Sequence, residues 1–323
     1  MKRLRYISVQ PRLLYFAWQV EVMLNNFIKQ GINPNNIDVL VATNPNDATS
    51  NKQNVEAFNR LANHFNSVRF FFYEDTREQP IHYVSSIRPN ILKQHFKAHP
   101  EIKEDILFYH DCDMLFTKPP SKILEPFIEK DIWYVSDTNS YINYDYIISK
   151  GEDVYSKMCQ VTGMMHYIPK LMNSNSGGAQ YILKNTDERF WDKVERDSEN
   201  LFKEISELNN IKKLENSNYH ELQIFCADMW AVLWNAWLRG YETKVVPELD
   251  FTWPTEPVNY WEKSLVFHNA GVTCAYNKVF YKALYMDKTP YNIKLNQFNK
   301  DKNTYNYVKE IVETAKKSCL KGI

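Results

Sequence analysis

The chain has 323 residues, with 39 Lys+Arg against 39 Asp+Glu, so its formal charge is zero. Hydrophobic residues at 44% and charged residues at 24% are the balance of a globular protein, which excludes a collagenous, disordered or small disulfide-stapled chain. Neutrality argues against a protein whose main task is to grip a phosphate polymer, since such proteins carry a basic surplus. From the N-terminus, Tyr6 to Val9 predicts a short strand broken by Gln10-Pro11. Phe16, Val20, Leu24, Phe27 and Ile28 then share one helical face, with Gly31 as the C-cap. Ile37 to Ala42 is a continuous apolar run, as expected of a strand buried on both faces. Asn54 to Phe65 predicts a second amphipathic helix, Val68 to Tyr73 a third strand, Pro89 to Phe96 a helix with proline in its first turn, and Asp105 to Tyr109 a fourth strand. Strand–helix alternation of this kind predicts an α/β fold, Rossmann-like, with a mostly parallel central sheet flanked by helices.

Beyond Ile132 the pattern changes. Tyr141 to Tyr146 is rich in Tyr and Asn and reads as a loop. Asn173 to Gly178 gathers turn-forming residues, including two adjacent glycines of only eight in the chain. Phe190 to Leu208 predicts a charged, half-exposed helix. Tyr219 to Leu238 predicts a strongly apolar helix ended by Gly240, and Thr243 to Val246 a further strand. The aromatic and basic C-terminal stretch closes with a helix over Thr304 to Lys317. No repeat, low-complexity tract or clear linker interrupts the chain, which reads as one continuous unit over residues 1–275 with a C-terminal lid or helical extension over 276–323. Five scattered cysteines without a C-x-x-C pair argue against a disulfide framework or a structural zinc and favour a reducing compartment. No signal-like segment and no run of roughly 18–20 apolar residues is present, so the expectation is a cytoplasmic protein without a membrane span.

Three segments carry chemistry. The apolar run Ile106 to Tyr109 ends on His110-Asp111-Cys112-Asp113, presenting two carboxylates one residue apart where ligands bind in open α/β sheets. Such a pair repels itself unless a cation sits between its members, and Mg²⁺ or Mn²⁺ would bring phosphate oxygens as further ligands. A second apolar run, Leu265 to Phe267, delivers His268, whose imidazole is a common ligand beside carboxylates. The third, Asn173 to Tyr181, places Gly177 and Gly178 beside amides and hydroxyls suited to sugar hydroxyls. The acidic pair suggests metal-assisted handling of a diphosphate, with a solvated turn as its alternative; His268 and the glycine pair would by themselves be a core histidine and a tight turn, and beside the acidic pair the histidine reads as a ligand.

Together and in this order, these segments resemble a glycosyltransferase of the GT-A type. More narrowly, Phe16 to Glu21, His110 to Asp113, Ser176 to Tyr181 and Asp228-Met229-Trp230 are similar to the plant hydroxyproline arabinosyltransferase and peptidyl serine galactosyltransferase group, over about residues 6 to 275. The resemblance implies a GT-A fold, with a nucleotide-sugar-binding half over about 1–120 and an acceptor half over about 121–275. It also implies a nucleotide-sugar donor such as a UDP-sugar, a divalent metal, usually Mn²⁺, and a sugar or other hydroxyl acceptor. By position it assigns Asp111, Asp113 and His268 to the metal, Asp111 also to the donor diphosphate, and Ser8 and Gln10 to the nucleoside. It implies that Arg88 faces the donor, that Gly177, Gly178 and Gln180 fall where donor sugar and acceptor meet, and that Asp228 contacts the sugar or acceptor near the reacting carbon. Retention of anomeric configuration is implied, with Asp228 as the general base if the enzyme instead inverts. The lysine that follows the late histidine in glycogenin-like enzymes is displaced here, leaving Lys278 or Lys282 for the diphosphate. Trp253, Tyr260 and Trp261 offer sugar-stacking surface.

Other readings compete. A haloacid dehalogenase-like phosphohydrolase also uses an acidic pair after a strand, but on the first strand and followed by small residues, whereas here Met114-Leu115 follow. A glycan-binding or scaffold protein with an inactive fold of the same type would not need an intact acidic pair and histidine. Modified DNA as acceptor needs a basic patch, for which Lys278, Lys282 and Lys288 are the visible residues.

Overall fold

A computed structural model describes residues 3–81, 83–128 and 131–323. In chain order the strands and longer helices begin with β1 (Leu4–Pro11), α1 (Leu14–Lys29), β2 (Ile37–Thr43), α2 (Lys52–His64), β3 (Arg69–Glu74), α3 (Ile87–Ala98) and β4 (Ile106–Tyr109). They continue with β5 (Met114–Phe116), β6 (Trp133–Asp137), α4 (Glu152–Thr162), β7 (Gly177–Lys184), α5 (Glu188–Glu215) and α6 (Ala227–Leu238). The last are β8 (Thr243–Val245), β9 (Phe251–Thr252), β10 (Val266–His268) and α7 (Thr304–Lys317). The main sheet has seven strands in the order β3-β2-β1-β4-β7-β6-β8, and β5-β10-β9 form a second, smaller sheet. Pairs β1–β2, β2–β3 and β6–β8 are parallel, while β6–β7 is antiparallel. The class is therefore α/β with a mostly parallel sheet, as the strand–helix alternation predicts.

The chain folds as two compact units. One comprises residues 75–108 and 131–247. Its core gathers Tyr83, Tyr155, Leu201, Trp230, Leu233 and Trp234, all buried. The 28-residue helix α5 starts at Asp187, whose carboxylate accepts from Phe190 N at 2.7 Å, and its inward acids are paired rather than solvated. Glu195 meets Asn90 Nδ2 at 2.8 Å and Lys93 Nζ at 2.6 Å; Asp197 meets Lys193 at 2.6 Å and Asn235 at 2.7 Å.

Several elements here differ from the sequence expectation. Tyr141 to Tyr146 is not a loop but parts of two short helices, Asn139–Ile142 and Tyr144–Ile148, the second capped by Asn143, which accepts from Tyr146 N at 2.8 Å. The apolar helix begins at Ala227, not near Tyr219, and α4 has no counterpart in the expected elements. Gly177 and Gly178 lie in strand β7, not in a turn. A Cβ on Gly177 would lie 2.3 Å from Val135 Cγ2 and 2.4 Å from the Ser136 carbonyl oxygen, so the absence of a side chain is required by the close approach of β6.

The other unit comprises Arg3–Glu74, residues 109–128 and Glu248–Ile323. Strand β1 is buried along its length and runs through Gln10-Pro11, because proline at a strand end forfeits little and Arg12 N continues the ladder to Ala42 O at 2.8 Å. Buried Asp38 on β2 is neutralised from both sides, by Arg5 at 2.8 Å and Arg69 at 2.5 Å. Helix α1 closes as expected at Gly31, whose φ of +84° lets Gly31 N reach Ile28 O and Ile32 N reach Phe27 O, both at 3.0 Å. Fully buried Glu21 on α1 fastens the C-terminal segment: its carboxylate accepts from Tyr291 Oη at 2.5 Å, Ser318 Oγ at 2.7 Å and Cys319 N at 2.7 Å. All five cysteines are free thiols.

Removing the Glu21 carboxylate leaves three donors without it. Glu21→Ala is expected to cost roughly 1–3 kcal/mol in urea unfolding. An unchanged midpoint would mean that the C-terminal segment is not held by this carboxylate.

Candidate metal centre

The second unit brings the acidic pair and the late histidine together. Strand β4 ends at Tyr109, the chain turns through His110-Asp111-Cys112-Asp113, and β5 leads away. Strand β10 pairs with β5 antiparallel, with His268 opposite Met114, and Asn269 N donates to Asp113 O at 3.0 Å. This register sets His268 Nε2 3.1 Å from Asp113 Oδ1 and 3.6 Å from Asp111 Oδ2. One ligand atom from each of the three residues lies within 4.8 Å of the others. Asp113 and His268 are 6% exposed, whereas Asp111 is half-buried and opens toward solvent. Two carboxylates and an imidazole with one open side suit Mn²⁺ or Mg²⁺, which take oxygen ligands and leave positions for phosphate oxygen.

The electrostatics are those of a compensated cluster. Burial raises the Asp113 pKa, but Lys282 and His268 outweigh it and hold the carboxyl well below the usual range. The Lys282 ammonium contacts Asp113 Oδ2. Burial lowers the His268 pKa, yet Asp113 and then Asp111 bring it above the ordinary value. The adjacent His110 behaves oppositely. Burial pushes it down to about 4, so it is neutral near pH 7, and its Nδ1 donates to the Asp111 carbonyl at 2.9 Å. His110 therefore shapes the turn, with its ring 5.2 Å from that of Phe27. Burial also pushes the Cys112 thiol well up, leaving it a protonated wall of the turn.

The remaining expected residues fall in two places. In the same unit, Ser8 and Gln10 are buried on β1; Gln10 Nε2 donates to Leu40 O at 2.8 Å, while Ser8 Oγ and Gln10 Oε1 have no hydrogen-bond partner among the described residues. Lys278 lines a cleft of about 400 Å³ with Thr255, Tyr276, Asn277, Asn299 and Lys302. It is Lys282, the second lysine expected at the diphosphate, that contacts Asp113. Trp253 packs its ring against Gly271 and lies 4.8 Å from the Phe251 ring, itself 5.3 Å from His268. Trp261 packs at 5.0 Å on Phe267, and Tyr260 is exposed.

In the first unit, Arg88 and Asp228 are partners: Arg88 Nη2 meets Asp228 Oδ2, and Tyr83 Oη lies 2.6 Å from Asp228 Oδ1. The Asp228 amide donates to Tyr83 Oη at 3.1 Å, and burial followed by the Asp228 charge drives the Tyr83 phenol up, keeping it protonated. Both carboxylate oxygens of Asp228 are thereby engaged. Gln180 is fully buried on β7, its backbone N–H donating to Ser136 Oγ at 3.4 Å. Sequence reasoning did not find Tyr83, which is 145 positions from its aspartate and carries no local signal.

No family model matches the sequence, and no curated protein matches it. Several solved structures are similar in backbone. WbbM, a bifunctional glycosyltransferase in its apo form, shares 11% identity at a TM-score of 0.45, over 96% of this chain and 50% of that one. The chain thus spans half the length of WbbM. The galactosyltransferase LgtC, in complex with donor and acceptor sugar analogues, shares 14% identity at a TM-score of 0.42, over 97% and 95% of the two chains. Mannosyltransferase PcManGT from Pyrobaculum calidifontis, in complex with GDP-Man and Mn²⁺, shares 12% identity at a TM-score of 0.31, over 73% and 71%. At these values the likeness is one of backbone, and function must be read from the chain's own side chains. No helix among the described residues is long and apolar enough to cross a membrane.

The cluster has a pH signature in the metal-free protein. A histidine whose folded pKa is raised contributes stability in full below its unfolded value of about 6.5, and that contribution is lost as pH rises through the folded value. In EDTA, the melting temperature is expected to fall over that window in the parent and to be flatter in His268→Gln. Identical pH profiles would show that the His268–Asp113 pair carries no charge-dependent stability.

Proposed function

We propose that the chain is a GT-A type glycosyltransferase that transfers a sugar from a nucleotide diphosphate sugar, with UDP as the nucleotide, to a hydroxyl acceptor such as a glycan. The observation that carries this reading is the convergence of Asp111, Asp113 and His268 at the end of a buried strand, with one side open. In the reaction the bond between the anomeric carbon and the diphosphate oxygen breaks, the acceptor hydroxyl oxygen bonds to that carbon, and the hydroxyl proton leaves with the diphosphate. Bound there, Mn²⁺ or Mg²⁺ would serve as a Lewis acid for the negative charge that gathers on the leaving diphosphate. Asp111, Asp113 and His268 would hold the ion, with His268 as a neutral imidazole.

The chain's other groups have separate tasks. Lys282 supplies a cation for the diphosphate, and Lys278 belongs to the cleft beside the same segment. Ser8 and Gln10, whose buried oxygens lack partners among the described residues, are the nucleoside contacts. Arg88, Gly177, Gly178, Gln180 and Asp228 are the residues for donor sugar and acceptor. Asp228, engaged by Arg88 and Tyr83, orients rather than abstracts a proton, which favours retention over a base-assisted inversion.

The test is a donor screen. Purified protein with Mn²⁺ is incubated with a panel of UDP- and GDP-sugars, and nucleotide diphosphate release is measured for the parent, Asp113→Asn and His268→Gln. A UDP-sugar is expected to be turned over, with each variant losing at least about 100-fold. Turnover of no donor, or variants as active as the parent, would contradict the reading. An inverted linkage in the product would overturn retention alone.

A further inference from the structure

Resting on the metal-centre reading above, we propose that Lys282 and the metal compete for the Asp113 carboxylate, so that Lys282 must be displaced for the metal to bind. Both oxygens of Asp113 are engaged by side chains, Oδ1 by His268 Nε2 at 3.1 Å and Oδ2 by the Lys282 ammonium. Asp113 belongs with Asp111 and His268 to a group whose ligand atoms lie close enough to hold one metal ion, and it is nearly closed to water, its side chain 7% exposed. A carboxylate so buried is costly without a counter-charge, and Lys282 supplies one. A divalent cation bound to the same carboxylate would stand within a few ångströms of the ammonium, where like charges repel strongly in a low-dielectric site. The two cations are therefore alternatives.

The backbone around Lys282 determines how the exchange proceeds. Lys282 opens a short helical turn, Lys282–Tyr285. Trp18 Nε1 donates to Tyr285 O at 3.1 Å, and the Tyr285 ring stacks on Phe280 at 5.3 Å and 7°. Trp18 is fully buried and Phe280 is 1% exposed, so the turn is held on the core of its unit. The lysine would leave Asp113 by rotating its flexible four-carbon stem while its backbone stays in place. The side chain is 26% exposed and so has a path toward solvent. Metal binding thus carries the cost of breaking an ion pair, and any anion that receives the released ammonium offsets that cost. By linkage, a nucleotide diphosphate and the metal then raise one another's affinity, with part of the coupling passing through Lys282.

The measurement is Mn²⁺ binding, followed by the loss of the free-ion electron paramagnetic resonance signal, alongside thermal unfolding in EDTA. The proteins are the parent, Lys282→Met, Lys282→Arg and Asp113→Asn, with and without UDP. Lys282→Met is expected to bind Mn²⁺ at least fivefold more tightly than the parent and to melt at a lower temperature in EDTA. Lys282→Arg, which keeps the charge, is expected to bind Mn²⁺ as the parent does. UDP should tighten Mn²⁺ binding more in the parent than in Lys282→Met. If the parent binds Mn²⁺ and Asp113→Asn does not, while Lys282→Met binds with unchanged or lower affinity, the displacement is wrong and the metal centre stands. If neither the parent nor Lys282→Met binds Mn²⁺, the metal centre and the displacement both fail.

Discussion

A carboxylate withdrawn from water needs a positive partner, and Asp113 is the place where this chain meets that demand. It sits two positions from a second acid, in the turn between the buried strands β4 and β5, so neither dilution by solvent nor distance relieves it. His268 and Lys282 come from opposite sides of the long return from β10 into the C-terminal segment and close on its two oxygens. The antiparallel pairing of β5 with β10 makes that convergence possible, because its register puts the end of β10 directly against the end of the acidic turn. What looks like local chemistry thus depends on a small three-stranded sheet built from segments more than 130 positions apart in the chain.

The same economy runs through the unit that holds the cluster. Glu21, fully buried in α1, accepts hydrogen bonds from Tyr291, Ser318 and Cys319, and Trp18 one turn earlier holds Tyr285. Helix α1 is thereby a fixed post to which the C-terminal segment is fastened at Tyr285, Tyr291, Ser318 and Cys319, and Lys282 lies three positions before the first of these. The Arg88–Asp228–Tyr83 group follows a different logic in the other unit, where a neutral phenol and a guanidinium share one carboxylate. Such a carboxylate is held in one orientation, and each of its oxygens already has a partner.

Much of this was legible from the amino-acid order because its signals are local. A run such as Ile37 to Ala42 has little choice but to be a buried strand, and Gly31 supplies the positive φ that ends α1. The acidic pair and His268 were legible because each follows an apolar run that must end at a sheet edge. What was not legible depends on contacts between distant segments. Gly177 and Gly178 carry the local signature of a turn, yet the need for β6 to lie against them makes them strand residues. Tyr141 to Tyr146 has weak helix propensity and becomes helical through the Asn143 cap and packing. Lys278 and Lys282 are chemically alike, and only the fold of the segment sends one to a cleft and the other to Asp113.

The claim that everything here turns on is that Asp113 and His268 ligate one divalent ion. Electron spin echo envelope modulation on the Mn²⁺-loaded protein tests it without any substrate, because a directly bound imidazole imprints its nitrogen on the manganese signal. The account predicts nitrogen modulation in the parent, its loss in His268→Gln with manganese still bound, and its persistence in His110→Gln, whose ring is turned to the Asp111 carbonyl. Manganese bound without nitrogen modulation in the parent, or modulation that survives His268→Gln, would contradict it.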